Sequence, residues 1–186
     1  TPLLLHHESA AVRERALGAI GAVRRDIAGQ WLPQIRRLLA DPDPRVRAGA
    51  VGAIGAISNE DAASLSRPLL ADADPRIRVT AAVTLAGSVR PGDAAAARDA
   101  LEALAAAPEP GIRRDVAAAV RQIPDPRVRQ LLVPLLYDAS PDVADEAMES
   151  VRACGAADFV FVPALISLLR SRTLKGRARE VLAGYG

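Results

Sequence analysis

Two histidines, one cysteine and one tryptophan carry most of the chemistry available to this 186-residue chain. His6-His7-Glu8 is the one metal-like cluster. A transition-metal site needs three or four donors converging on one point. Adjacent histidines on a helix or turn point in different directions, and there is no third histidine, so a polar turn accounts for the cluster and no metal is expected. Cys154 has no histidine near it in sequence. A thiol becomes a nucleophile beside a base, a cation or a helix N-terminus, so Cys154 reads as a buried, inert thiol near the end of a helix. A single cysteine also excludes an intramolecular disulfide. Trp31 opens an apolar helix beside Leu32 and reads as packing. Two tyrosines and two phenylalanines spread along the rest of the chain make no platform for flipped bases or single strands. Net charge is +2 with 25% charged residues, which is not the footprint of a dedicated nucleic-acid binder. No catalytic residue and no cofactor is expected.

The elements that would position any site are announced by a phrase that recurs. Asp41-Pro-Asp-Pro-Arg-Val-Arg47 returns as Asp72-Ala-Asp-Pro-Arg-Ile-Arg78, with worn copies at Ala107-Pro-Glu-Pro-Gly-Ile-Arg113 and Asp138-Ala-Ser-Pro-Asp-Val-Ala144. Aligned on the apolar residue that ends each phrase's turn, the copies fall at Val12, Val46, Ile77, Ile112, Val143 and Leu174, in steps of 34, 31, 35, 31 and 31 residues. Self-similarity at that period is the signature of a solenoid. Four and eight residues beyond each anchor lie further small or apolar residues, among them Ala50 and Ile54, Ala81 and Leu85, Val116 and Val120. That spacing puts them on one helical stripe, which defines a helix B in each repeat. A helix A ending on a leucine pair precedes most of the loops, as in Trp31 to Leu39, Leu65 to Leu70, Leu131 to Leu136 and Val162 to Leu169. Asp93, Asp125 and Asp158 stand where N-caps belong. Pro33, Pro68, Pro134 and Pro163 fall inside the A pattern, where proline removes an intrahelical bond and bends the helix.

These residues resemble the HEAT repeat family in its short, roughly thirty-residue form, the type found in phycobilisome lyases. The shared pattern is a proline in helix A, an aspartate at the turn and an arginine just inside helix B, here Pro33, Asp41 and Arg47, then Pro68, Asp72 and Arg78. The resemblance implies an all-α, right-handed α-solenoid of about five to six helix pairs with helix B lining the concave side. It also implies that Asp41, Arg47, Asp72 and Arg78 form a structural ladder linking successive repeats. That ladder is interrupted at Ala107, which lacks the aspartate, and at Ala144, which lacks the arginine. His7 takes the aspartate's place in the first copy. HEAT-like deoxyhypusine hydroxylase binds iron through His-Glu pairs in several B helices, and HEAT-like DNA glycosylases use paired aromatics on a basic face. This chain has neither arrangement.

The repeats read as approximately 1–25, 26–57, 58–89, 91–123, 125–154 and 157–184 of one solenoid. The chain begins without methionine inside what looks like the end of a helix A, Leu3-Leu-Leu5, so a piece of a longer, bacterial protein is expected. No apolar run reaches the length of a membrane span, and a cytoplasmic module is expected, tethered or not through its parent. Positions two, six and nine beyond the anchor lie opposite the buried stripe at 100° per residue. In the fourth and fifth repeats they include Arg114, Arg121, Asp145, Glu149 and Arg152, a solvated face. In the second and third they are Ala48, Gly52, Gly55, Val79, Val83 and Ala86, with no charge at all. Glycine inside a helix costs roughly 1 kcal/mol relative to alanine, so Gly49, Gly52 and Gly55 need a reason: tight curvature of the stack, or a partner that packs there. The expected function is a non-enzymatic scaffold or regulatory module binding a protein segment or a neighbouring domain on that face, with nucleic acid and direct membrane insertion not expected and the oligomeric state left open. The alternatives are a bilin lyase-like enzyme, which visible absorbance on mixing with a bilin would reveal, and a soluble module of a larger membrane transporter.

Overall fold

The computed structural model describes residues 2–23, 28–90, 92–155 and 159–185, with the backbone alone at residues 2 and 59–61; the cap expected at Asp158 lies outside them. The described chain is helical, and it divides into two compact units, residues 1–100 and 101–186. In the first, a 3₁₀ turn (Pro2–His6) leads to α1 (Ala10–Gly21), then α2 (Leu32–Arg37), α3 (Pro44–Ile57), α4 (Asn59–Ser66) and α5 (Pro75–Ala86). Helix α6 (Asp93–Ala105) runs across the division. The second unit continues with α7 (Pro110–Val120), α8 (Pro126–Arg129), α9 (Leu132–Leu135), α10 (Pro141–Cys154), α11 (Val162–Leu168) and α12 (Lys175–Ala183).

The B helices start where the repeated phrase places them, because their first turns are built from it. Asp43 and Asp74 are the N-caps of α3 and α5, each carboxylate accepting from the backbone N–H two residues on, with Pro44 and Pro75 at the first helical position. That is the favoured order for a helix start, since the proline gives up an N–H that has no partner there in any case. Asp125 caps α8 in the same way. Asp93, by contrast, is the first residue of α6 rather than its cap, and its carboxylate is taken by Arg67 and the Ser88 hydroxyl.

The A helices are more broken than a bend implies. Pro33 and Pro163 sit at the starts of α2 and α11, each preceded by a separate 3₁₀ turn, Gly29–Trp31 and Phe159–Phe161. Pro68 opens the 3₁₀ turn Pro68–Ala71, and Pro134 lies in α9, which is parted from α8 at Gln130 and Leu131. A proline in mid-pattern removes one bond and crowds the carbonyl four residues back, and here the chain restarts the helix with proline in its first turn.

The stripe read from the repeat is the core of each unit. Ile54 is 1% exposed and Leu85 0%, with Val46, Ala50, Ile77 and Ala81 buried beside them. In the first unit Leu5, Leu17, Ile20 and Ile35 complete the cluster, against which Trp31 packs half-buried. Helix α3 packs between α1 and α5. The second unit buries Val116, Val120, Leu132, Leu136, Val143, Val151, Phe161 and Leu165. Val12, Ile112, Leu174 and Leu182 reach only half burial. Alanine and glycine at the helix crossings set the close spacing: a Cβ on Gly49 would meet Leu17 Cδ1 at 3.3 Å, and one on Gly21 the Cα of Ala53 at 3.6 Å.

Candidate functional site: a glycine groove and a charged cleft on the B helices

The loops before the B helices carry the first constellation. Asp41 receives two bonds from Arg13 of the preceding repeat, Nε to Oδ2 and Nη2 to Oδ1, both 2.9 Å. Arg47 makes the same pair with Asp72, at 3.1 and 3.0 Å. In the second unit Arg113 makes it with Asp138, at 2.7 and 2.8 Å. The third nitrogen of each arginine turns back to its own loop, as Arg47 Nη1 does to the carbonyls of Asp41 and Pro42. Each aspartate also accepts from the N–H two residues on, at Asp43, Asp74 and Ser140. Bidentate pairs of this kind fix the register of neighbouring repeats as well as joining them. Arg78 has the inner half only, donating to the carbonyls of Asp72 and Ala73; position 107, where the next aspartate would stand, is alanine. His7 supplies the aspartate's local role in the first copy, its Nδ1 accepting from Ser9 N at 3.0 Å, while Arg13 takes the His7 and Glu8 carbonyls. Among the described residues no three His, Cys, Asp or Glu side chains are grouped to hold a metal ion. Cys154 is half-buried.

Three carboxylates of these loops, Asp43, Asp72 and Asp138, titrate low. Burial raises the Asp72 carboxyl, but the bonds from Arg47 and from Asp74 N leave it below the usual carboxylate range. The Arg113 guanidinium draws Asp138 down against its burial. At Asp43 the Arg45 side chain, then the Arg45 N–H, bring the value to about 2. A carboxylate whose pKa is lower in the folded than in the unfolded state contributes stability above its unfolded value of about 3.9, and that contribution goes as pH falls toward the folded value. Melting temperature is therefore expected to change little from about pH 7 to 5 and to fall as pH drops from about 4 toward 2. A melting temperature that stays level through that lower window would contradict the ladder's role in stability.

The second constellation lies between α1 and α3. A groove of about 710 Å³ is lined by Gly18, Gly21, Gly49 and Gly52, with Ala11, Ala53 and Ala56, over Leu17. Glu14 and Arg15 stand at its edge on α1. The glycines divide by what surrounds them. Gly21, Gly49 and Gly55 each have a neighbouring helix within 4 Å of where a Cβ would be, at Ala53, Leu17 and Thr84 respectively. Gly18 and Gly52 face open space.

Of the six residues expected to form an uncharged outer face, this groove contains Gly52 alone. Gly52 is exposed, and Ala48, Gly55, Val83 and Ala86 are half-buried. Val79 is 6% exposed and belongs to the core. A B helix in a stack is covered by its A helix and by B helices beside it, so the buried arc is wider than one stripe; Val51, Ala53 and Ala82 are buried for the same reason. The groove lies one repeat nearer the N-terminus than the sequence reading placed the contact. A signal for it was present: Gly18-Ala-Ile-Gly-Ala22 and Gly52-Ala-Ile-Gly-Ala56 are identical in adjacent B helices.

In the second unit the B helices carry charge instead. A cleft of about 530 Å³ between α7, α10 and α12 is floored by Met148 and Val181. Its walls carry Asp142, Asp145, Glu146, Glu149 and Glu180 against Arg114, Arg152 and Arg177, an excess of two carboxylates. Much of that charge is already paired. Arg177 binds Asp145, Arg152 binds Glu149, and Arg121 reaches Glu146 at 3.0 Å. Arg152 holds the Glu149 carboxyl below its ordinary range.

Comparison with known proteins gives the same architecture. A designed armadillo repeat protein, solved in complex with the peptide (KR)4, aligns over 100% of this chain and 98% of its own at 20% identity and a TM-score of 0.60. A second designed armadillo repeat protein aligns over 100% and 98% at 22% identity and a TM-score of 0.56. An engineered protein from a structural genomics consortium aligns over 99% and 94% at 18% identity and 0.57. No curated protein matches the chain by sequence. No helix among the described residues is long and apolar enough to cross a membrane. The sequence profile of HEAT repeats matches residues 1–67 and 65–152, over the capped B helices and arginine–aspartate links described above, and the chain belongs to the HEAT repeat family, an all-α solenoid scaffold.

Proposed function

We propose that this chain is a non-enzymatic interaction module that holds a segment of another protein, or of a neighbouring domain, on its helix-B face, with the groove between α1 and α3 as the contact. The observation that carries this is the pair Gly18 and Gly52. Glycine there costs roughly 1 kcal/mol each in helix propensity, and no neighbour within 4 Å calls for it, unlike Gly21, Gly49 and Gly55. Absent side chains let an extended backbone approach the helices closely, and the alanine walls offer it apolar contact. The peptide-bound designed armadillo repeat protein supports a peptide as the kind of partner a fold like this accommodates.

A second reading places the segment on the charged cleft of the second unit, whose excess carboxylates suit a basic segment such as the (KR)4 held by that designed protein. One experiment separates the two. Extended peptides selected by display against the intact chain are titrated into isotopically labelled protein, and amide shifts are mapped by NMR. Shifts centred on Gly18, Gly21 and Gly52 are expected. Shifts centred on Asp145, Glu149 and Arg152 would replace the first reading with the second.

A further inference from the structure

No further inference is drawn: the strongest candidate, the exposed apolar patch at Phe159 and Val160, in the 3₁₀ turn before α11, and Ile166 within it, has nothing in the structure to show what covers it.

Discussion

Ile54→Ala is expected to lower the stability of the chain by about 2–5 kcal/mol, the range for truncating a large buried side chain where the surroundings relax only in part. Ile54 is 1% exposed, in α3, and α3 is packed between α1 and α5. The substitution removes three methyl or methylene groups from a place where neighbouring helices meet, and the close alanine and glycine spacing leaves little slack to fill the void. Against a typical total of about 5–15 kcal/mol the change is large and would move the midpoint of urea unfolding well outside error. A loss under about 0.5 kcal/mol is what surface positions give, and that result would place Ile54 off the buried stripe.

Asp72→Ala is expected to cost about 2–3 kcal/mol at neutral pH, by leaving a part-buried arginine without its carboxylate. The change removes the acceptor for Arg47 Nε and Nη2 and for Asp74 N at once. The side chains of Arg47 and Asp72 are 16% and 10% exposed, so water replaces these bonds only in part. The pH dependence identifies the cause. Asp72 titrates below the ordinary carboxylate range, so its charge contributes at neutral pH and is lost in strong acid, and the difference between variant and parent should shrink as pH falls below about 4. Unfolding curves at pH 7 and pH 3 measure this directly. An equal loss at both would mean that the side chain acts by packing or by its backbone cap and not by its charge.

The parts of the fold that were legible in the sequence are those in which one residue type does one job at a fixed distance. Asp125 caps α8 where the sequence places a cap, and the four-residue steps from Val46 to Ala50 and Ile54 mark the buried stripe of α3, because capping and helical periodicity are local. Less of the candidate site was legible, for two physical reasons. A helix wheel has one inside and one outside, whereas a stacked B helix has covered flanks as well, and so Val79 is buried though it sits opposite the anchor stripe by angle. A glycine is also mute about its cause: Gly49 and Gly52 are alike in sequence, yet the first makes room for Leu17 and the second faces open space. The spacing of six between Asp41 and Arg47 is similarly ambiguous. Within that loop Arg47 takes the Asp41 carbonyl, and the carboxylate it binds is Asp72, 25 residues on. The break in the A helices at Pro33 and Pro163 was marked by the prolines, but whether each bends its helix or restarts it depends on the 3₁₀ turns before them.

The claim that the glycine groove is a contact surface is tested most directly by Gly52→Arg, with a selected peptide segment as ligand and calorimetric titration as the measurement. The position faces open space and arginine is the better helix former by roughly 1 kcal/mol, so the variant should fold with a melting temperature at least that of the parent. Its long charged side chain would lie across the groove and remove measurable binding, while Arg121→Glu, on the charged face of the second unit, should bind as the parent does. A folded Gly52→Arg variant that binds with unchanged affinity would contradict the account.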